Sequence, residues 1–200
     1  MLSLLVLNLS FADPHPHKGK LKPITSVPNP VTLTQSDQSK LDKGKVVLKQ
    51  KVGKAGGKGV AVQYIAASSQ RVWETILDYD KYKDRVKNIK SANVYKKVGS
   101  DWYVQMISSV MFFTFTMHTK NSIHEDQNYM SWTLDYERKS DLDDSVGYWL
   151  VKEISTSPHL TRVDYSTNII VSGVPAGLTA YLTEDALVEG TKWVKKYAEE

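Results

Sequence analysis

"AASSQRVWETILDYDKYKDRV", residues 66–86, is the stretch from which the fold can be read. Val72, Trp73, Ile76 and Leu77 fall on one face at helical spacing, so the residues predict an amphipathic helix over 68–77. Ser68 or Ser69 can cap its first turn. Residues 79–86, with Tyr79 and Tyr82, extend the pattern into a second short helix. On both sides of this stretch the chain reads as strand. An isolated helix pair with a tryptophan on its apolar face therefore has a sheet to lie against.

Upstream, "KVVLKQKV" and "KGVAVQYIA" flank "GKAGG", a hairpin signal. The glycines at 53, 56, 57 and 59 do not form a phosphate loop. Gly57-Lys58 is followed by Gly59 rather than Ser or Thr, and the loop leads into a strand. A flexible hairpin is the expectation. "SDQSKLDKG" at 36–44 predicts a short helix with Ser36 as N-cap and Gly44 as stop.

Downstream, six strand-like runs follow, at about 88–98, 101–110, 112–124, 128–137, 145–156 and 160–172. "GSD", "EDQN" and "KSDLDD" punctuate them. Met130, Trp132, Leu134 and Tyr136 alternate to one side, as do Phe113, Phe115 and Met117 one strand earlier. Short turns between consecutive strands mean an antiparallel meander. The last element begins at Pro175 and runs to about Ala198 as a helix, with Gly177 and Gly190 weakening it without ending it. About 22 helical residues span roughly 33 Å, enough to cross such a sheet.

The rest of the chain bounds the function. Of 200 residues 41% are apolar, so one domain of ordinary size can fill a core. The formal charge of +4 is split: Lys18, Lys20 and Lys22 against Asp13 put half of it in residues 13–35. The remainder is nearly balanced, without the concentrated basic face of a nucleic-acid binder. Absence of cysteine excludes disulfides, thiolate metal sites and cysteine nucleophiles. "MLSLLVLNLSFA" has the spacing of a secretory signal peptide cleaved after Ala12, although no Lys or Arg precedes its apolar run. The expected location is periplasmic or secreted; the alternative is an N-terminal strand. Residues 13–35 hold five of the seven prolines and read as a linker, which leaves residues 36–200 as the folded domain. His15 and His17 would be solvated in it. Pro14 lacks the amide N–H whose deprotonation an N-terminal copper-type site would need, so no metal site is expected there.

Four stretches in order carry a resemblance: "IAASSQRVWETILDYDKY", "MSWTLDYE", "VGYWLVKEI" and "TRVDYSTNIIVSGVPAGLTAYL". Together they resemble the START-related helix-grip superfamily, specifically its polyketide cyclase/dehydrase and coenzyme Q-binding START-like group, over about residues 36–197. A proline that many relatives carry near the position of Lys87 is missing here. The resemblance implies an α+β helix-grip fold, a seven-stranded curved antiparallel sheet wrapped around the long C-terminal helix. Two short helices would lie between the first and second strands, with an extra N-terminal hairpin strand. It also implies a hydrophobic cavity between sheet and helix, and as partner a lipid or other apolar small molecule, with transient membrane contact and no nucleic acid.

Apolar walls with a few orienting polar groups are what such a cavity needs. The candidates are Trp102, Met106, Phe113, Phe115, Met117, Trp132, Tyr148 and Tyr165 on strands, and Leu178, Tyr181 and Leu182 on the final helix. For any one of them, ordinary core packing is the competing role. A cyclase or dehydratase would need an acid and a base close together. His118, His124, Asp135 and Asp164 are the titratable candidates, but no two share a catalytic spacing, and His118 reads as a surface strand residue. "SDLDDS" at 140–145 lacks the calcium-loop framework and reads as a solvated turn. The expectation is therefore a binding module with no catalytic residues, no metal and no cofactor. The alternatives are a cyclase/dehydratase-type enzyme acting on a polyketide-like or aromatic substrate, and a ligand-free interaction domain.

Overall fold

A computed structural model describes residues 13–53, 55–110, 112–173 and 176–200, with side chains except those of residues 176–182 and 185. The signal peptide expected over residues 1–12 lies outside the described residues, as do the side chains of Leu178, Tyr181 and Leu182.

Helix α1 spans Gln35–Asp42, followed by strands β1 (Val47–Gly53) and β2 (Gly56–Ile65). Helix α2 (Ser69–Leu77) passes through a 3-10 turn into α3 (Tyr82–Arg85). The meander then runs β3 (Ile89–Val98), β4 (Asp101–Val110), β5 (Phe113–His124), β6 (Tyr129–Leu134), β7 (Asp144–Thr156) and β8 (His159–Ile170). Helix α4 (Ala176–Ala198) closes the chain. All strands join one curved antiparallel sheet in the order β1-β2-β8-β7-β6-β5-β4-β3. The sheet has eight strands rather than seven, because β1 extends the same sheet by pairing with β2 from Val47↔Val62 to Gly53↔Gly56.

The local signals explain the elements. Ser68 caps α2, its hydroxyl accepting from the Arg71 N–H at 3.2 Å, and Val72, Trp73 and Ile76 are buried beneath that helix. The cap of α1 is Thr34 rather than Ser36. Thr34 Oγ1 accepts from the Asp37 N–H and the Asp37 carboxylate accepts from the Thr34 N–H, a reciprocal box that starts the helix earlier. After the short helices the chain turns into β3 through Asn88 at φ 68°, a left-handed conformation that Asn tolerates. The hairpin glycines have a packing role. A β-carbon on Gly57 would stand 2.2 Å from Thr183 Oγ1, and one on Gly59 2.5 Å from Leu187 Cδ1, so they let α4 lie close on β2.

Residues 13–34 contain no helix or strand, yet they are held as a strap. The Leu21 N–H donates to Asp144 Oδ2 at 2.6 Å and the Val31 N–H to Asp164 Oδ2 at 2.8 Å. His15 is buried, not solvated, with Nε2 2.6 Å from the Leu142 carbonyl oxygen. The acidic turn is no more solvated: Ser140, Leu142 and Asp144 are all buried, and the Asp141 carboxylate accepts from the Thr116 N–H.

Candidate functional site

Two apolar clusters lie between the inner sheet face and the helices. One joins Trp73, Ile76, Tyr79 and Tyr82 to Trp149, Trp193 and Val194. The other, toward the opposite end, contains Val110, Phe115, Leu134, Leu142 and Ile169. Between them is a cavity of about 230 Å³, bordered by residues of both clusters and by Ala186, Glu189 and Gly190 of α4.

Strand parity builds its walls. Met106 on β4, Phe115 and Met117 on β5, Trp132 on β6 and Tyr165 on β8 line it, as the alternation predicts. Trp132 and Tyr165 stack at 5.7 Å between centroids with 24° between planes, and Trp149 lies 4.3 Å from Tyr165. Two glycines make this possible. A β-carbon on Gly147 would fall 2.1 Å from Trp132 Cζ2, and one on Gly190 would fall 2.5 Å from Tyr165 Cε1. Gly190, which costs α4 some helix propensity, is what lets that helix seat on the tyrosine ring.

A few polar groups interrupt the apolar surface. Asn121 Nδ2 donates to the Trp102 carbonyl at 3.2 Å and to Thr119 Oγ1 at 3.0 Å, so its amide nitrogen is fully engaged and its orientation fixed. Ser145 Oγ accepts from Trp132 Nε1 at 3.3 Å and holds the indole in place. Thr167 adds a hydroxyl. Burial pushes the phenols of Tyr79, Tyr82 and Tyr165 well above the ordinary value. Among the described residues the lining holds no His and no Asp; Lys87 and Glu189 are its charged side chains.

The remaining candidates lie elsewhere. Trp102 points to the inner side but packs beyond the cavity, with Tyr79 on one side and Lys97 Nζ 3.2 Å from its ring centroid. Phe113 is 40% exposed at the β4–β5 turn. Tyr148 is on the outer face, opposite to its expected direction, because Gly147 and Trp149 take the inward positions of β7. Trp149, Trp193, Tyr79 and Tyr82, which no sequence pattern singles out for the site, also line the cavity.

None of the four titratable candidates reaches the cavity. His118 is buried on the outer face rather than surface-exposed, covered by residues 139–140. Its Nδ1 donates to the Lys139 carbonyl at 2.8 Å, and its Nε2 accepts from Gln105 Nε2 at 2.9 Å. The Tyr95 hydroxyl donates to Asp135 Oδ2 at 2.6 Å. Asp164, 1% exposed, is gripped by Arg162 through Nε at 2.6 Å and Nη2 at 2.8 Å. His124 stacks on Tyr129. No cluster of three or more metal-ligating side chains occurs among the described residues, and no described helix is long and apolar enough to cross a membrane.

Curved sheet, lid helices and a long C-terminal helix over an inner cavity define the class. The chain has the helix-grip fold of START-superfamily proteins and polyketide aromatase/cyclases. An aromatase/cyclase from a Streptomyces species superposes with a TM-score of 0.60 at 13% identity, over 77% of this chain and 94% of that one. A STAR-related lipid transfer protein from Xanthomonas axonopodis gives 0.60 at 11% identity, over 78% and 93%. A START-superfamily protein from Mycobacterium smegmatis gives 0.58 at 14% identity, over 77% and 97%. At such identities the likeness speaks for the fold alone. No protein-family model and no curated protein matches the chain.

Proposed function

We propose that this protein binds an apolar small molecule or lipid in the cavity between its sheet and α4. The observation that carries this reading is the composition of the lining. It is a gap between two apolar clusters, walled by Trp132, Trp149, Tyr165 and Trp193, with isolated amide and hydroxyl groups able to orient a ligand. The lipid transfer protein and the aromatase/cyclase of the same fold are both compatible with it. A cyclase or dehydratase reaction is the second reading, favoured by the neutral Tyr165 phenol and the Glu189 carboxylate bordering the same cavity. Catalysis would require turnover that disappears in Glu189→Gln or Tyr165→Phe.

The test is Met117→Trp. Met117 borders the cavity. Added bulk should fill empty space, leaving the melting temperature near wild type while binding of a fluorescent apolar probe is lost. In a packed core the same change costs about 1–3 kcal/mol. Such a loss, together with no probe binding by the wild type and no co-purifying small molecule in native mass spectrometry, would favour a ligand-free domain instead.

A further inference from the structure

The outer face carries a groove that the cavity does not explain. It is an open depression of about 450 Å³ between the strap and strands β1, β2, β8 and β7. Register arranges its floor in two rows. Lys51 stands directly opposite Lys58, Lys58 opposite Asn168, and Asn168 opposite Val146. In the next row Lys49 faces Val60, Val60 faces Ser166, and Ser166 faces Tyr148. The strap closes one side with Lys22 and Ile24.

Four lysines thus border the groove, and among the described residues its lining contains no Asp or Glu. Lys49 is already engaged, 3.3 Å from the Asp37 carboxylate and donating to the Thr32 carbonyl at 2.6 Å. Lys22, Lys51 and Lys58 have no carboxylate partner among the described residues. Like charges directly opposite on paired strands repel and destabilise the pair. The Lys51–Lys58 pair therefore gains from a counter-charge. Val60 and Val146 form an apolar floor. Asn168, Ser166 and Tyr148 supply neutral hydrogen-bonding groups within the same groove.

We propose that this groove is a second binding site, for a phosphate group. Three ammonium groups without a carboxylate partner among the described residues, all bordering one depression, suit an anion of charge two or more with several acceptor oxygens, since lysine pairs with phosphate as a point charge. A single carboxylate would neutralise one of them. An extended polyanion is disfavoured, because the domain beyond the strap carries almost no net charge. The group can arrive on a soluble phosphate ester or on a lipid headgroup.

The experiment uses the full chain and its Lys51→Gln/Lys58→Gln variant. Thermal melts in millimolar pyrophosphate are compared with melts in sodium chloride of equal ionic strength. In parallel, the proteins are sedimented with phosphatidylcholine vesicles with and without phosphatidic acid. Pyrophosphate should raise the wild-type melting temperature, and its apparent affinity should fall at least about tenfold in the variant. Without anion the variant should be at least as stable as wild type, because the lysine repulsion is gone. A response to pyrophosphate assigns the site to soluble esters, and sedimentation only with phosphatidic acid assigns it to headgroups. Equal melting in pyrophosphate and chloride with no vesicle binding overturns the proposal, as does a variant that responds like wild type. Binding of the apolar probe should be unchanged in the variant, so the two sites stand or fall separately.

Discussion

Asp164 and Tyr165 are neighbours on β8 and point to opposite sides of the sheet. Asp164 looks outward, is 1% exposed, and holds Arg162 and the backbone of Val31. Tyr165 looks inward and stacks between Trp132 and Trp149 beside the cavity. The same division runs across neighbouring strands. On the outer face, Asp144 accepts from the Tyr136 hydroxyl and the Leu21 N–H, and His118 and Asp135 secure the segment after β6. On the inner face, aromatic rings and glycines shape an apolar space. The buried ionisable groups that look most catalytic in the sequence are fasteners. Strong burial alone does not mark a reactive group, because an ion pair or a run of N–H donors can bury a carboxylate for purely structural reasons.

The largest effect should come from breaking a fastener. Asp164→Ala leaves the Arg162 guanidinium beneath the strap with the Val31 carbonyl but without its carboxylate partner, and frees the Val31 N–H. Denaturant titration should show a loss of about 3–5 kcal/mol, as for other buried pairs missing one member. Apolar-probe binding by the folded fraction should persist. If the probe is lost while the domain stays folded, the two faces are coupled and the comparison fails.

Next in size is an inner-face change. Gly147→Ala would drive a methyl group into Trp132 and into the Ser166 carbonyl oxygen, 2.2 Å away. It should cost about 1–3 kcal/mol and also weaken probe binding, because the indole must leave its place on the wall. A change in stability with unaltered probe affinity would mean that Trp132 does not shape the ligand site.

The smallest effect separates the faces by pH. Burial raises the folded-state values of Tyr79, Tyr82 and Tyr165, whereas unfolded tyrosine ionises near pH 10. Below that pH both states keep the proton and the contribution to stability is intact. As pH rises past about 10 the unfolded chain loses protons first, so stability falls. Half a unit above that point the loss should be about 1 kcal/mol per tyrosine, and Tyr165→Phe should flatten the fall. A slope unchanged by this substitution would place its hydroxyl in water.

On β5 and β6 the inner side is marked by residue type rather than by exposure, because outer positions such as His118 and Ser131 are also buried. Phe115, Met117 and Trp132 alternate with the polar residues Thr114, Thr116, Ser131 and Thr133, and all three border the cavity. β7 is buried on both faces over Asp144–Val146, because the strap and the 139–143 segment cover its outside. Without alternation its parity is ambiguous in the sequence, and Trp149 rather than Tyr148 faces inward. Trp193 shows helical periodicity but nothing local says that the last turns of α4 reach the lid. Tyr79 and Tyr82 border the cavity only because α2 and α3 fold back over the sheet.

By itself the sequence determined the eight strand segments, the short helices and the long final helix, since periodicity, caps and turn residues are local properties of the chain. It also determined that Phe115, Met117 and Trp132 share a direction, because side-chain alternation along a strand follows from backbone geometry. Tertiary structure alone decided that residues 13–34 are a strap rather than a linker, that Lys22 joins Lys51 and Lys58 around one groove, and that the titratable candidates stand outside the cavity. The physical reason is that burial, charge balance and enclosure are sums over groups far apart in the chain. Lys22 and Lys58 come to border one groove only after the strap crosses the outer face of the sheet.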